Sequence, residues 1–307
     1  MWSIQTVFIP RENIYLIEQW LKYHYSIGCS HIYLYDNSES QFIDNGNNIN
    51  KTGKNKYSHN IKSIMNHLSD DEIFTFYSKL LEKYKGKLDI VKWSPVVNNR
   101  VIYGQYEAII DYSNRFKPVT WTLFIDIDEF LCVPEDIIKN IDTTGVDVDF
   151  NLMVKHFIDN LLLSHQLSNI NRIDLKQIKM HHHLNRLIEC ERKEEFNIKD
   201  CKASYHVPHK ISEKWGLKSF VYMPHFDKNQ ISFIHEIKIS SGAKRLVKDD
   251  SILFMHFNVC EKQINWFKNH YSTPVETHEL IKTGDYDYLE KNFSDILAEE
   301  SYLKIGQ

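Results

Sequence analysis

Trp121-Thr-Leu-Phe-Ile-Asp126-Ile-Asp128-Glu129-Phe130 is an apolar, β-branched and aromatic run that begins just after Lys117-Pro118 and ends abruptly in carboxylates. Its composition predicts a buried strand. Asp126 and Asp128 then fall at the carboxyl end of that strand, the edge where open α/β sheets bind ligands. Alternate residues of a flat strand face opposite ways, so the two aspartates converge only if the chain turns there. The following Phe130-Leu-Cys-Val-Pro134 permits that turn. Two hard oxygen ligands at such an edge suit Mg²⁺ or Mn²⁺, and that cation suits a diphosphate. The alternative reading is a strand-end pair that caps a helix or faces water.

The preceding residues supply the rest of a nucleotide-type sheet. Thr6-Val-Phe-Ile9 reads as a short strand stopped by Pro10, and Ile14, Ile17 and Leu21 recur at helical spacing up to Gly28. His31-Ile-Tyr-Leu-Tyr35 follows as a second strand, with Asp36-Asn37-Ser38 at its end. Strand, helix, strand implies a parallel sheet. Asp36 occupies the place where such folds present an acid to a ribose or base; as a plain turn, Asp-Asn-Ser is equally good chemistry. Ser69-Asp-Asp-Glu72 is a capping box opening a helix to about Tyr84, and Leu88 to Trp93 is a third strand. A helix is expected over about 103–112. Residues 45–60, rich in Asn, Lys and Gly, read as a mobile surface loop.

Beyond Pro134 the pattern predicts a helix over about 150–163, strands near 176–180, 187–191, 218–222, 231–239 and 251–257, and a mostly helical end from Glu261. The expected fold class is α/β, a Rossmann-like, mostly parallel central sheet flanked by helices, with a mixed α+β C-terminal half. It is read as one domain: a nucleotide-binding half (1–135), an acceptor-side half (136–260) and a helical segment (261–307).

Composition sets further bounds. Over 307 residues, 42% hydrophobic and 25% charged content is ordinary for a soluble globular chain. A net charge of −4 without a basic tail gives no reason to expect nucleic acid. Five scattered cysteines, none in a CxxC pair, fit a reducing compartment rather than a disulfide frame or zinc ribbon. No apolar stretch reaches the roughly 18 residues of a membrane helix, and no leader is evident, so the expectation is a soluble, cytoplasmic protein. The Lys-, Asn- and Ile-heavy composition points to an AT-rich genome, bacterial or viral.

Glu18-Gln-Trp-Leu-Lys-Tyr-His24, Ile27-Gly28 and His31 to Ser38 together resemble the opening of glycosyltransferase family 92 and related family-2-like enzymes. Gly104-Gln105 with Ala108-Ile-Ile-Asp111-Tyr, and Trp121 to Leu131, look like that family's next two blocks. Lys218-Ser-Phe-Val221, Ile234-His235 and Met255-His256-Phe257 are similar to its later landmarks. The resemblance runs from about Val7 to Lys268. It departs at Met180-His181-His182-His183, where relatives show a Trp and a Phe-Gly-Ser segment, which puts the acceptor side in question. The family implies a GT-A fold and inverting transfer from a nucleotide sugar, with uridine as the expected nucleoside, to a glycan or other hydroxyl acceptor. By that resemblance Asp126 and Asp128 hold Mn²⁺ or Mg²⁺ against the diphosphate, Asp36 and Asn37 meet the nucleoside with Arg11 nearby, and Gln105 lies along the donor. A late histidine completes the metal shell in many GT-A enzymes; His256 fits, with His235 as the alternative. A core histidine bonded to backbone is the bland reading of either.

The residues do not single out the base that such a transfer needs. Glu129, Asp174 and Glu189 are the candidates. Two rival readings stand beside the transferase. A haloacid-dehalogenase-like phosphatase also places DxD after an apolar strand, but usually wants Thr or Val where Phe130 stands. A catalytically silent nucleotide-sugar-binding module would keep the site without turnover. His181-His-His183 suggests zinc only weakly, since neighbouring strand residues face opposite ways and no cysteine lies near.

Overall fold

The computed structural model describes residues 1–39, 69–97, 99–134, 137–138, 149–182, 206–212, 217–230, 232, 234–246 and 251–256. The expected loop over 45–60, the strand near 187–191 and the segment from Glu261 lie outside them.

Strand β1 (Trp2–Phe8) is buried along its whole length. It pairs in parallel with β2 (Cys29–Asp36) on one side and β6 (Trp121–Phe124) on the other. β2 in turn pairs in parallel with β3 (Leu88–Lys92). Flanked on both edges and covered on both faces, β1 buries its polar residues Ser3, Gln5 and Thr6 too, and Ser3 Oγ shares hydrogen bonds with Tyr112 OH and Thr122 Oγ1, each at 3.1 Å. Helix α1 (Pro10–Ser26) begins at Pro10 rather than near Ile14. Proline both ends the strand and opens the helix, because the first turn has no use for its missing N–H. Helix α2 (Asp70–Lys83) carries the expected capping box: Glu72 N donates to Ser69 Oγ at 3.2 Å and Ser69 N to Glu72 Oε2 at 2.7 Å. A two-stranded ribbon, β4 (Val96–Val97) with β5 (Arg100–Val101), leads into helix α3 (Gln105–Phe116).

The second half is mixed. Helix α4 (Phe150–Leu167) precedes β8 (Ile170–His182), which is 13 residues long and holds the sheet together. The early part of β8 pairs with β10 (Lys218–Tyr222) and β11 (Lys244–Leu246); its later part pairs with β9 (His206–Ser212) and β12 (Leu253–His256). β10 runs antiparallel between β6 and β8, and β7 (Glu129–Cys132) lies antiparallel beside β12. The path is β3-β2-β1-β6-β10-β8-β12-β7. β6 and β7 therefore stand four places apart in the sheet, although only Ile125–Asp128 connect them. Asp126 O accepts from Glu129 N at 3.1 Å, so Asp126 to Glu129 form a tight turn. Four strand spacings laid flat would span about 19 Å, far more than a turn of about 7 Å. The sheet must curl around this turn.

Helices cover both faces. Ile4, Phe8, Ile32, Leu34 and Leu123 pack with α1, α2 and α4, while Val7, Tyr35, Phe124 and Val221 pack with Ala108, Ile109 and Tyr112 of α3. The fold is thus α/β with a parallel first half, as the hydrophobic pattern indicates. Among the described residues of the expected strand over 231–239 no strand forms. Phe226 and Ile239 form an isolated bridge that closes a loop, and Ile234 and Ile237 enter the core at turn spacing.

Candidate functional site

The apolar run ends as a strand at Phe124 and turns at Asp126, so the aspartates leave the flat pleat as their convergence requires. The turn is held from three sides. Glu129 Oε2 accepts from Asp126 N at 2.9 Å, and Trp20 Nε1 donates to Glu129 O at 2.7 Å. Lys218, at the start of β10, sends its ammonium 2.6 Å from Asp126 Oδ2 and 3.1 Å from Glu129 Oε2. Gln105 Nε2, from the first turn of α3, donates to Asp126 Oδ1 at 3.1 Å. Both oxygens of Asp126 are therefore engaged within the protein.

Lys218 is fully buried and Glu129 is 1% exposed, so their charges carry a desolvation cost. Burial alone would strip the proton from Lys218, but Asp126 and Glu129 outweigh it and hold its pKa above the usual lysine value. Burial raises Glu129 well above an ordinary carboxylate, and Lys218 only partly offsets this.

Asp128 has a different partner. β12 pairs with β7 so that His256 stands opposite Glu129, and this register sets His256 Nε2 3.3 Å from Asp128 Oδ2. The Gln177 side-chain amide meets the other ring nitrogen, Nδ1. Burial works against a charge on either group. The imidazole with Lys218 nevertheless holds Asp128 below the carboxylate range, and Asp128 with Glu129 lifts His256 to about 8.

The spacing of this pair bears on a metal. Two adjacent ligands on an octahedral Mg²⁺, at bonds of about 2.1 Å, lie roughly 3 Å apart. Asp128 Oδ2 and His256 Nε2 approach that separation, while the Gln177 amide nitrogen donates to Nδ1. Among the described residues no group of three or more His, Cys, Asp or Glu comes together to hold an ion. The four expected ligands thus reduce to one fitting pair. Asp126 departs from the expected set because Lys218 and Gln105 already neutralise and bond it. His235 lies near Lys218 and Asp126 but turns its Nδ1 to Leu217 O at 2.9 Å.

At the nucleoside end, Asp36 closes β2 and its Oδ2 accepts from Tyr77 OH at 2.9 Å, while Oδ1 accepts from Ser38 N at 2.9 Å. Burial raises its pKa against those bonds. Asn37 corrects the expectation. Its amide donates to Trp93 O at 2.9 Å and Ile102 O at 3.0 Å, and its backbone N donates to Phe8 O at 2.9 Å, so it clamps β1 to the chain after β3. Arg11 is the second residue of α1, just past the end of β1 and on the same sheet edge as Asp36. Gly104 precedes α3 with φ of +57°, and a Cβ there would meet Pro95 Cγ at 2.6 Å. Only glycine fits, and the α3 N-terminus beside Asp126 has no side-chain cap.

The candidate bases fare unequally. Asp174 is fully buried in β8 and receives Arg172 Nε at 2.7 Å, Arg172 Nη2 at 3.0 Å, Arg245 Nε at 2.6 Å and Ser219 Oγ at 2.6 Å. It ties β8 to β10 and β11 and has no lone pair turned to a cleft, which removes it from the base candidates. Glu129 is 1% exposed, with Oε2 taken by Lys218 and Asp126 N and Oε1 3.7 Å from His256 Nδ1, which sets it inside the fold. Glu189 lies outside the described residues. Sequence reading overlooked Lys218, Tyr77 and Gln177 as site residues. For Lys218 the signal was present: a single lysine opening an otherwise buried strand.

No protein-family model matches this chain, and no curated protein matches it. Among solved structures it is similar to a crystal structure of apo UDP-glucose pyrophosphorylase, at 11% identity over 84% of this chain and 90% of that one, with a TM-score of 0.28. A similarity that slight carries no weight for fold or function.

Proposed function

We propose that this chain is a GT-A glycosyltransferase of the family-92 or family-2-like kind, which moves a sugar from a nucleoside diphosphate, with uridine expected, to a hydroxyl acceptor. The observation that carries this reading is the Asp128–His256 pair on an acidic turn at the carboxyl edge of β1, β2 and β6. One carboxylate and one imidazole leave most of an ion's ligand positions to waters and phosphate oxygens, the usual pattern where a cation serves a phosphorylated substrate. Mn²⁺ or Mg²⁺ held by Asp128 and His256 would supply positive charge toward the departing diphosphate.

The chain's own residues do the remainder. The N–H groups at the start of α3 present partial positive charge on that edge, a ready anion site. Asp36, braced by Tyr77, offers a carboxylate to a ribose hydroxyl at the end of β2. Lys218 and Gln105 fix Asp126 beside the sugar, so that its charge does not repel the diphosphate. Direct displacement by the acceptor oxygen then inverts the sugar carbon.

The test is release of UDP from a panel of UDP-sugars, UDP-galactose among them, in Mn²⁺, with His256→Ala as the comparison. Turnover in the wild type with at least a tenfold loss in the variant supports the transferase. Rapid hydrolysis of p-nitrophenyl phosphate would point to a phosphatase instead, and UDP binding without cleavage of any donor to a silent binding module.

A further inference from the structure

We infer that His235 is the general base that removes the proton from the acceptor hydroxyl. This rests on the transferase reading above. His235 lies in the loop closed by the Phe226–Ile239 bridge, by Asp227 N donating to Lys238 O at 3.0 Å and by Ser240 N donating to His225 O at 2.8 Å. Ile234 and Ile237 anchor that loop in the core on either side of it, while His235 is partly desolvated yet keeps part of its surface in solvent. The loop reaches the donor side as well, where Tyr106 OH donates to Gln230 O at 3.5 Å.

The ring is held in one tautomer. Its Nδ1 lies 2.9 Å from Leu217 O, and a carbonyl only accepts, so Nδ1 carries the hydrogen. In the neutral ring Nε2 is then the basic atom. Leu217 directly precedes Lys218, whose ammonium touches Asp126, so the held imidazole stands at the same sheet edge as the acidic turn. The charged groups around it are Lys218, Asp126 and His256; burial and Lys218 together keep its pKa below the ordinary histidine value, so the ring is an acceptor at neutral pH. Asp174, by contrast, has both oxygens committed inside the fold, and Glu129 is buried to 1% exposure with Oε2 on Lys218.

In the step, a lone pair of the acceptor oxygen forms the bond to the anomeric carbon. The bond from that carbon to the diphosphate oxygen breaks, its electron pair leaving with the nucleoside diphosphate. The hydroxyl proton passes to His235 Nε2, which becomes imidazolium.

The experiment follows UDP release from UDP-galactose in Mn²⁺, with water or added azide as the nucleophile, alongside calorimetry of UDP binding. His235→Ala and His235→Gln are expected to lose on the order of a hundredfold in release to water with UDP affinity unchanged. Azide is anionic already and needs no base, so it should restore release in His235→Ala. An unchanged rate in both variants, or a rate loss that azide fails to restore, overturns the assignment. A wild type that binds no UDP overturns the transferase reading itself, which separates the two failures.

Discussion

Lys218 Nζ lies 2.6 Å from Asp126 Oδ2 with no exposed surface of its own, and this contact separates the roles of the two aspartates. Asp126 has Lys218 and Gln105 bonded to its two oxygens, whereas the side chain paired with Asp128 is a titratable imidazole. An acidic turn of three carboxylates is stable in a buried setting only if a cation is near, and the fold brings its own.

Removing that cation should therefore be costly. Lys218→Met leaves Glu129 and Asp126 facing each other without compensation, and we expect a loss of about 3–5 kcal/mol in urea unfolding. Adding Glu129→Gln to the same chain should recover a large part, because it removes the stranded buried charge. A Lys218→Met protein as stable as the wild type would show that the pair does not hold the turn.

Asp174 makes a contrasting case. Asp174→Asn keeps the shape but leaves Arg172 and Arg245 uncompensated, and Arg172 is 2% exposed. The expected effect is a fall in stability of about 3 kcal/mol, read as a lower unfolding midpoint. A well-folded Asp174→Asn enzyme with selectively lost turnover would restore Asp174 as a base.

His24 sets a pH dependence. It is fully buried between Trp20 and Phe130, Leu131 N donates to its Nε2 at 3.3 Å, and burial lowers its pKa from 6.5 to about 3. The unfolded chain then binds the proton more readily than the folded one. Stability is full above pH 6.5 and falls as pH drops toward 3. Between pH 7 and pH 5 this one group should cost about 2 kcal/mol. Unfolding of His24→Leu measured at both pH values should show a slope smaller by that amount; an equal slope would place the acid sensitivity elsewhere.

The sequence carried the parts of this architecture that depend on local pattern. The β1-α1-β2 unit, the Ser69–Glu72 cap, the strand over 218–222 and the turn after Phe124 all follow from periodicity or punctuation within about ten residues. What stayed hidden depends on long-range register. Lys218 and Asp126 are 92 positions apart, and only the antiparallel insertion of β10 beside β6 brings them together. The alternation Ile231, Phe233, Ile237, Ile239 imitates a strand, while burial of Ile234 and Ile237 shows a loop pinned at two points. Asn37 looked like a ligand contact because polar residues at a strand end suit both roles. Its two backbone acceptors, Trp93 and Ile102, are invisible until β3 and the ribbon after it are placed.

The division of labour between the aspartates is tested most directly by calorimetric titration of UDP, with and without Mn²⁺, into wild type, Asp128→Asn and Asp126→Asn. Wild type should bind UDP more tightly with Mn²⁺. Asp128→Asn should lose that metal-dependent gain by tenfold or more, and folded Asp126→Asn should keep most of it. Equal Mn²⁺ dependence in Asp128→Asn and wild type, or no UDP binding by wild type in Mn²⁺, would contradict the assignment.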